Sequence, residues 1–510
     1  MTSQGGREKA EGGMPFDFAQ LDRLGARIER LVADSRQVEE GDTFVAYPGE
    51  SQDGRRFIAE AIAAGANAVL WEKADFAWNP GWRVPNLGIA GLRDRIGEIA
   101  SRVCGEPSRR MWMIGVTGTN GKTSCTHWLA HTLTALGRKT AVVGTLGNGF
   151  PGALAPSANT TPDAVTLHVL LKDYLAQGAA AVAMEVSSHG LAQGRVNGVR
   201  FNVALLTNLS RDHLDYHGDM ASYAAAKARL FAWEGLEYAV LNLDDPFGAE
   251  LVEKLAGSGV KVAGYSLEDK AARCDFVVHG RNLKLGAAGI RMEVACPQGR
   301  AILESRLLGR FNAANLLGVL GVLLASGIKL DEATKVLAQV EAPPGRLQRL
   351  GGDGKPLVVV DYAHTPDALE KVLQTLRETM AGFEVAAKKP KLFCVFGCGW
   401  QRDRGKRPLM GEVASRLADF AVVTSDNPRG EEPLAIIEEI VTGMGANYHV
   451  IEDRAAAIDY ALAQARACDV VLIAGKGHEA YQEIRGVRFP FSDAEVAQRA
   501  LHLNGGQRPC

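Results

Sequence analysis

At 510 residues the chain is too long for one hydrophobic core, and its size suggests about three domains. A hydrophobic share of 46%, a charged share of 23% and a net charge of −2 are ordinary for a globular protein. They exclude the basic footprint of a nucleic-acid binder, so an acidic ligand must be met by local donors.

The polar, glycine-rich start "MTSQGGREKAEGGMPFDF" has no apolar core of a signal peptide, and residues 1–14 and 504–510 read as loose tails. From residue 21 to about 102, strand-like "DTFVAY" and "NAVLW" alternate with helical "FIAEAIAAGA". "CGEPSRR" (104–110) is a polar junction, after which "MWMIGVTG" opens a second alternating series through "TAVVG", "AAVAMEVSS", "VALLTNLS" and "YAVLNLDD". The most apolar run, "NLLGVLGVLLASGI" (315–328), is too short to span a bilayer. A cytoplasmic protein is expected. "EAPPGR" (341–346) marks a second junction, beyond which come "PLVVVDYAH", "KLFCVFGCG", "DFAVVTSDN" and "DVVLIAGKGHE". Short apolar strands between helices predict an α/β fold with parallel-rich sheets covered on both faces. Ligands then belong beyond the carboxyl ends of the strands, where every motif below falls. The scattered cysteines, without paired metal spacing, read as reduced thiols.

"GVTGTNGKTS" (115–124) lies between an apolar strand and the helical "CTHWLAHTLTALG". Gly115, Gly118 and Gly121 permit close backbone approach, the helix N-terminus offers free N–H groups, Lys122 suits phosphate and Thr123 suits Mg²⁺. The strict phosphate-loop pattern has a glycine where Val116 stands, so this is a variant. Glu185 ends one strand as a carboxylate suited to Mg²⁺, and "TNLSRDHLDYHG" ends another with His213. On residue type alone, Asp212 and Asp215 read equally as loop caps, His213 as a solvated loop residue and Lys227 as a solvated helix lysine. "SSH" at 187–189 lacks the elbow glycines of a serine hydrolase.

The blocks "GVTGTNGKTS", "NTTPDA", "EVSSHGLAQGRV", "LSRDHLDYHGDMASYAAAKARLF", "LGRFNAANLLG", "PPGRLQRL", "VVDYAHTPDAL", "GCGWQRDRGKRPLMG", "SDNPRGEEP" and "AGKGHEAYQ" together resemble the Mur ligases. Within them the likeness is to the type that adds an amino acid to UDP-MurNAc-L-Ala-D-Glu, and it runs from "ADSRQVEEGDTFVAYPG" to "GKGHE". The resemblance implies three domains: a smaller α/β domain for the UDP-linked substrate (15–108), a central P-loop ATPase (109–342) and a Rossmann-like domain for the amino acid (343–510). It implies ATP and Mg²⁺ as cofactors and a monomer. Gly118, Thr119, Asn120, Gly121, Lys122, Thr123 and Ser124 would bind ATP, with Asn315, Arg346 and Asp361 around adenosine and phosphates. Thr123, Glu185, His213 and a CO₂-carbamylated Lys227 would hold metal, the conversion replacing a repelling cation by an anionic ligand. Lys122, Glu185, His213 and Lys227 would form the catalytic set. Ala33, Ser35, Asn159, Thr160, Thr161, Ser187, Gln193 and Arg195 would meet the UDP-linked substrate.

The implied reaction makes an amide through an acyl phosphate at the expense of ATP, chiefly by positioning and charge neutralisation. Arg429 in "DNPR" is expected to clamp the far carboxylate of meso-diaminopimelate in a bidentate pair. L-lysine has no such carboxylate and would leave the guanidinium unpaired. Asp426 and Asn427 would receive the distal ammonium, Pro428 would stiffen the turn, and Arg402, Gly475 and Glu479 would complete the site. The chain departs from the family pattern at Trp400 and Gln401, beside Arg402. By itself "DNPR" reads as a surface turn with a solvated arginine. A lysine-adding ligase, and a folylpolyglutamate synthase sharing the phosphate loop, are the alternatives.

Overall fold

The computed structural model describes residues 16–50, 52–352, 354–383, 389–400 and 403–503. The tails read as loose and Arg402 lie outside the described residues. The chain forms two compact units, one of Met1–Trp112 with Thr161–Ala180 and Val186–Arg200, the other of Met113–Thr160 with Ala181–Glu185 and Phe201–Cys510.

In the first unit, strands Leu31–Val32, Thr43–Ala46, Ala68–Glu72 and Asn86–Ile89 pair in that order, all parallel. Helix Leu92–Val103 packs on helix Ala164–Ala176, and Ile96, Ile99, Ala164 and Val165 share one core with Val45 and Leu70. The helices Ala164–Ala176 and Ser188–Ala192 thus group with the first unit, not with the residues that flank them in sequence. Ala164 and Val165 of the first helix are buried there, which a boundary placed at a polar junction does not register.

His168, on the first of those helices, is fully buried, with Nε2 2.9 Å from the carbonyl of Asn197. Burial pushes its pKa down to about 4. The folded state therefore stays neutral while the unfolded chain takes up a proton below 6.5, so stability is lost as pH falls from 6.5 towards 4. The group alone accounts for up to about 3 kcal/mol at the acid end. His168→Gln keeps a donor for Asn197 and is expected to flatten the pH dependence of the urea midpoint by that order. An unaltered acid limb would refute this.

In the second unit, a sheet of 11 strands among the described residues carries the phosphate loop. Lys261–Ser266, Tyr238–Asn242, Val203–Leu206 and Trp112–Thr117 lie side by side in parallel register. Ala181–Glu185 and then Thr140–Gly144 follow beyond them. Phe276–Gly286, Gly289–Cys296 and Gly299–Ser305 extend one edge as an antiparallel ribbon. The run "NLLGVLGVLLASGI" supplies most of helix Arg310–Ala325, with Leu316, Leu317, Val319, Leu320, Val322 and Leu323 all buried. A helix apolar on every side belongs in a core. No helix of the described residues is long and apolar enough to cross a membrane.

The same unit holds a second sheet, ordered Gln348–Gly351, Leu357–Asp361, Val470–Ala474, Leu392–Phe396, Phe420–Val423 and Tyr448–Val450. All pairs are parallel except the Gln348–Gly351 edge. Strand alternation sends Leu357, Val359, Cys394 and Phe396 to one core and Val358, Val360, Phe393 and Val395 to the other. Both faces are covered, and the carboxyl ends of Val470–Ala474, Leu392–Phe396 and Phe420–Val423 open together.

Cys104, Cys125, Cys274, Cys296, Cys394 and Cys398 are free thiols.

Candidate functional site

The phosphate loop joins strand Trp112–Thr117 to helix Lys122–Ala135. At Gly118, φ is +144° and a Cβ would stand 1.9 Å from Thr207 Oγ1. At Gly121, φ is +87° and a Cβ would meet the Asn315 side chain at 2.8 Å. The loop is fastened to the neighbouring strand end: the Asn120 N–H donates to Asn208 Oδ1 at 3.1 Å, and the Ser210 N–H donates to Thr119 Oγ1 at 2.9 Å. Gly118→Ala is expected to weaken nucleotide binding at least about 100-fold, since both backbone conformation and space are lost. Calorimetric titration with ATP checks it, and a change below about 3-fold would show that the loop tolerates the side chain.

Lys122 donates to the carbonyls of Gly118 at 2.8 Å and Thr119 at 2.9 Å. Burial lowers its pKa, with Glu185 and Asp212 opposing. Ser124 is buried in the first helical turn. Glu185 is buried at the carboxyl end of its strand and accepts from Thr123 Oγ1 at 3.1 Å and from the Thr145 N–H at 2.8 Å. A Cβ on Gly144 would sit 2.3 Å from its carboxylate, so the neighbouring strand gives it room only as glycine.

Lys227 is not a solvated helix lysine: its side chain is buried, and Nζ donates to the Gly118 carbonyl at 2.9 Å and lies 4.5 Å from the centre of the Tyr223 ring. Burial, then the positive charge of Lys122, lowers its pKa well below 10.5. Two lysines thus meet one carbonyl oxygen, which favours the neutral amine on the more shielded of them. His213 adopts φ +53° at the head of a short helix, with Nε2 3.5 Å from Asp212 Oδ2. Burial lowers its pKa, Asp212 opposing.

Asp361 ends its strand half-buried, accepting from the Leu347 N–H at 2.8 Å and the Ala363 N–H at 2.9 Å. Both carboxylate oxygens therefore hold backbone, including Leu347, itself at φ +48°. The Arg346 guanidinium stacks 5.2 Å from the Tyr362 ring centre, and its Nε is buried without a hydrogen-bond partner among the described residues.

The residues expected to meet the UDP-linked substrate divide into three groups. In the first unit, Thr161 Oγ1 accepts from the Ser187 N–H at 3.0 Å, Arg195 Nη1 donates to the Thr161 carbonyl at 2.8 Å, and Arg195 Nε donates to Gln193 Oε1 at 2.8 Å. Also in that unit, Ser35 opens a short helical turn capped by Asp34, and Ala33 packs on the core. In the second unit, Thr160 and Thr145 share a hydroxyl contact of 3.0 Å, and the Asn159 carbonyl accepts from Ser157 Oγ.

The "DNPR" turn is not a solvated loop. Asp426 and Asn427 are buried, and burial raises the pKa of Asp426, with Arg454 and Lys476 opposing. Gly475, at φ +116°, must be glycine: a Cβ would lie 2.6 Å from Asp426 Oδ2. Asn427 is occupied by the protein itself. Its Oδ1 accepts from Lys476 Nζ at 3.0 Å and the Glu483 N–H at 2.9 Å, and its Nδ2 donates to Glu479 Oε2 at 2.8 Å. Its amide oxygen therefore braces the turn. Arg429, after Pro428, has φ +50°, and its guanidinium makes no hydrogen bond among the described residues.

Three cations that sequence reading passed over hold this region. Lys476 is fully buried between Asn427 and Glu479, at 3.2 Å from the latter. Arg407 is buried and grips Glu431, two residues past Arg429, through two bonds of 2.8 and 3.0 Å. Arg454 pairs with buried Asp493 at 2.7 and 2.8 Å and donates to the Ala474 carbonyl at 2.9 Å. Only for Lys476 did the sequence hold a signal, its position inside the glycine-rich "AGKGHE" at a strand end.

A glycine loop on a parallel-rich sheet, paired with a lysine on the loop, a buried second lysine and a strand-end carboxylate, defines a phosphate-loop enzyme. Residues 27–103 match the Mur ligase family, catalytic domain; 116–323 the Mur ligase middle domain; and 345–477 the Mur ligase, glutamate ligase domain. The chain is 53% identical over 492 residues to the UDP-N-acetylmuramoyl-L-alanyl-D-glutamate--2,6-diaminopimelate ligase of Nitrosomonas europaea, covering 94% of each chain. It is 50% identical to the same-named ligase of Pseudomonas aeruginosa, covering 96% of this chain and 98% of that one. A solved structure of a ligase of that name superposes with a TM-score of 0.69 at 39% identity, covering 93% of this chain and 95% of the other. The chain belongs to the Mur ligase family.

Proposed function

We propose that the protein is an ATP-dependent ligase joining meso-2,6-diaminopimelate to the D-glutamate carboxylate of UDP-MurNAc-L-Ala-D-Glu, acting as a monomer in the cytoplasm. The observation that carries this reading is the Asp426–Arg429 turn: buried, braced on both sides and ending in a guanidinium without a hydrogen-bonded partner among the described residues. The diaminopimelate ligases named above, at 50–53% identity, support it. Functional boundaries near residues 108 and 342 belong to the same proposal.

In this reading Gly118–Ser124 wrap the phosphates, Lys122 neutralises charge, and Asn315 and Arg346 flank the nucleotide. Asp361 acts through the Leu347 backbone. Ala33, Ser35, Asn159, Thr160, Thr161, Ser187, Gln193 and Arg195 hold the UDP-linked substrate. Arg402, Asp426, Asn427, Pro428, Arg429, Gly475 and Glu479 hold the amino acid.

The donors fit Mg²⁺ in kind: the Thr123 hydroxyl and Glu185 carboxylate are hard oxygen ligands 3.1 Å apart. Among the described residues no group of three or more His, Cys, Asp or Glu side chains could hold a metal. A carbamylated Lys227 would add a further oxygen ligand, and His213 would supply a nitrogen. When bound, Mg²⁺ supplies positive charge to the phosphate oxygens.

The test is a ligation assay with the UDP-dipeptide and ATP. Meso-diaminopimelate is expected to exceed L-lysine in kcat/KM by at least about 10³-fold. Equal use of lysine would remove the substrate assignment and leave the ligase chemistry standing.

A further inference from the structure

The hairpin of Tyr481–Ile484 and Val487–Pro490 follows the glycine-rich strand exit and runs beside the "DNPR" turn. Its first strand is bonded to that turn residue by residue. The Gln482 side chain donates to the Asp426 carbonyl at 2.8 Å, and the Glu483 N–H donates to Asn427 Oδ1 at 2.9 Å. The Arg429 N–H donates to the Glu483 carbonyl at 3.0 Å, the Arg485 N–H donates back to the Arg429 carbonyl, and Arg429 forms a parallel bridge with Ile484. These bonds hold Arg429 in its left-handed backbone conformation, one that a non-glycine residue keeps only when its surroundings over-determine it.

The carboxylate of Glu483 stands 3.6 Å from Arg429 Nε and 3.6 Å from Arg488 Nε. Its side chain is 19% exposed, against 36% for Arg429 and 66% for Arg488. At 3.6 Å the attraction is Coulombic without a formed hydrogen bond, so it orients Arg429 from its Nε edge without engaging the outer fork.

We infer that Glu483 is a positioning residue for amino-acid selection, holding the Nε edge of Arg429 so that its outer nitrogens face the second carboxylate of the incoming amino acid. The inference rests on the amino-acid site proposed above. Arg488 shares the same carboxylate and tempers its pull.

Steady-state kinetics of the full chain test it, varying meso-diaminopimelate at saturating ATP and UDP-dipeptide. Glu483→Gln removes the charge while keeping the backbone bonds. It is expected to raise the KM for diaminopimelate on the order of 10-fold, with kcat and the KM for ATP within about 2-fold. Glu483→Asp should recover part of the loss, and in an Arg429→Ala background Glu483→Gln should add nothing, because the two act as one unit. Arg488→Met, which keeps its stem over Tyr481, should leave the diaminopimelate KM unchanged or lower it. A diaminopimelate KM unmoved by Glu483→Gln but raised by Arg429→Ala overturns the inference and leaves the site reading intact. An equal rise in the KM for ATP, or a rise from Arg488→Met matching that of Glu483→Gln, makes the hairpin a general prop and overturns it too. A diaminopimelate KM insensitive to Arg429→Ala removes the site reading, and the inference with it.

Discussion

Arg429→Ala is expected to lower kcat/KM for meso-diaminopimelate by roughly 10³- to 10⁴-fold while leaving ATP affinity within about 3-fold. The size follows from the environment of the turn. Its flanks are fixed by the buried Arg407–Glu431 pair and by Lys476 on Asn427, so little of the ordering cost falls on substrate binding. A bidentate guanidinium–carboxylate pair at such a site contributes several kcal/mol, and alanine leaves the ligand carboxylate without its counter-charge. Arg429→Lys should recover little, because one ammonium does not reproduce a planar fork. The measurement is kcat/KM for diaminopimelate beside a direct titration of ATP, and parallel losses in both would mean that the substitution disturbs the fold and not the clamp.

Lys227→Ala is expected to reduce turnover by roughly 10²- to 10³-fold, the usual scale for removing a group that stabilises developing charge. Addition of CO₂ to an amine requires its neutral form, and burial shifts the pKa of Lys227 well below 10.5, in the direction that favours that form. The sign is definite. Above the lowered value the amine is neutral and open to CO₂; below it the ammonium dominates, so activity should fall as pH drops through that value and rise with added bicarbonate. A carbon-13 carbamate resonance formed from labelled bicarbonate in the wild type and absent from Lys227→Ala would report the modification itself. Full activity in CO₂-free buffer, with no such resonance, would end the carbamate reading. The same shift makes folding more favourable as pH rises from the lowered value towards 10.5, because the unfolded chain holds the extra proton across that window.

The phosphate loop and the "DNPR" turn were legible in the linear chain because each is a contiguous run whose residue types fix its local backbone. The apolar strands were legible for the same reason: burial on both faces leaves a composition that needs no knowledge of the partner. Lys227 was not, since nothing in "SYAAAKARLF" separates a lysine facing water from one beneath Gly118, a residue 109 positions away. Asn427 was legible as a turn former but not as a brace, a role created by Lys476 and Glu483 from 49 and 56 positions downstream. Grouping of helix Ala164–Ala176 with the first unit was invisible to any reading of junctions, because the chain leaves one unit and returns to the other.

By itself, then, the sequence determined the α/β class, the phosphate loop, the family and which side chains could carry charge to a ligand. Tertiary structure alone decided which of those charges are buried, which neutralise each other and which, like Arg429, keep a buried Nε without a hydrogen bond among the described residues. The physical reason is range. Backbone conformation and burial pattern are set within a few residues, whereas desolvation and Coulomb coupling depend on neighbours that the chain brings together only by folding.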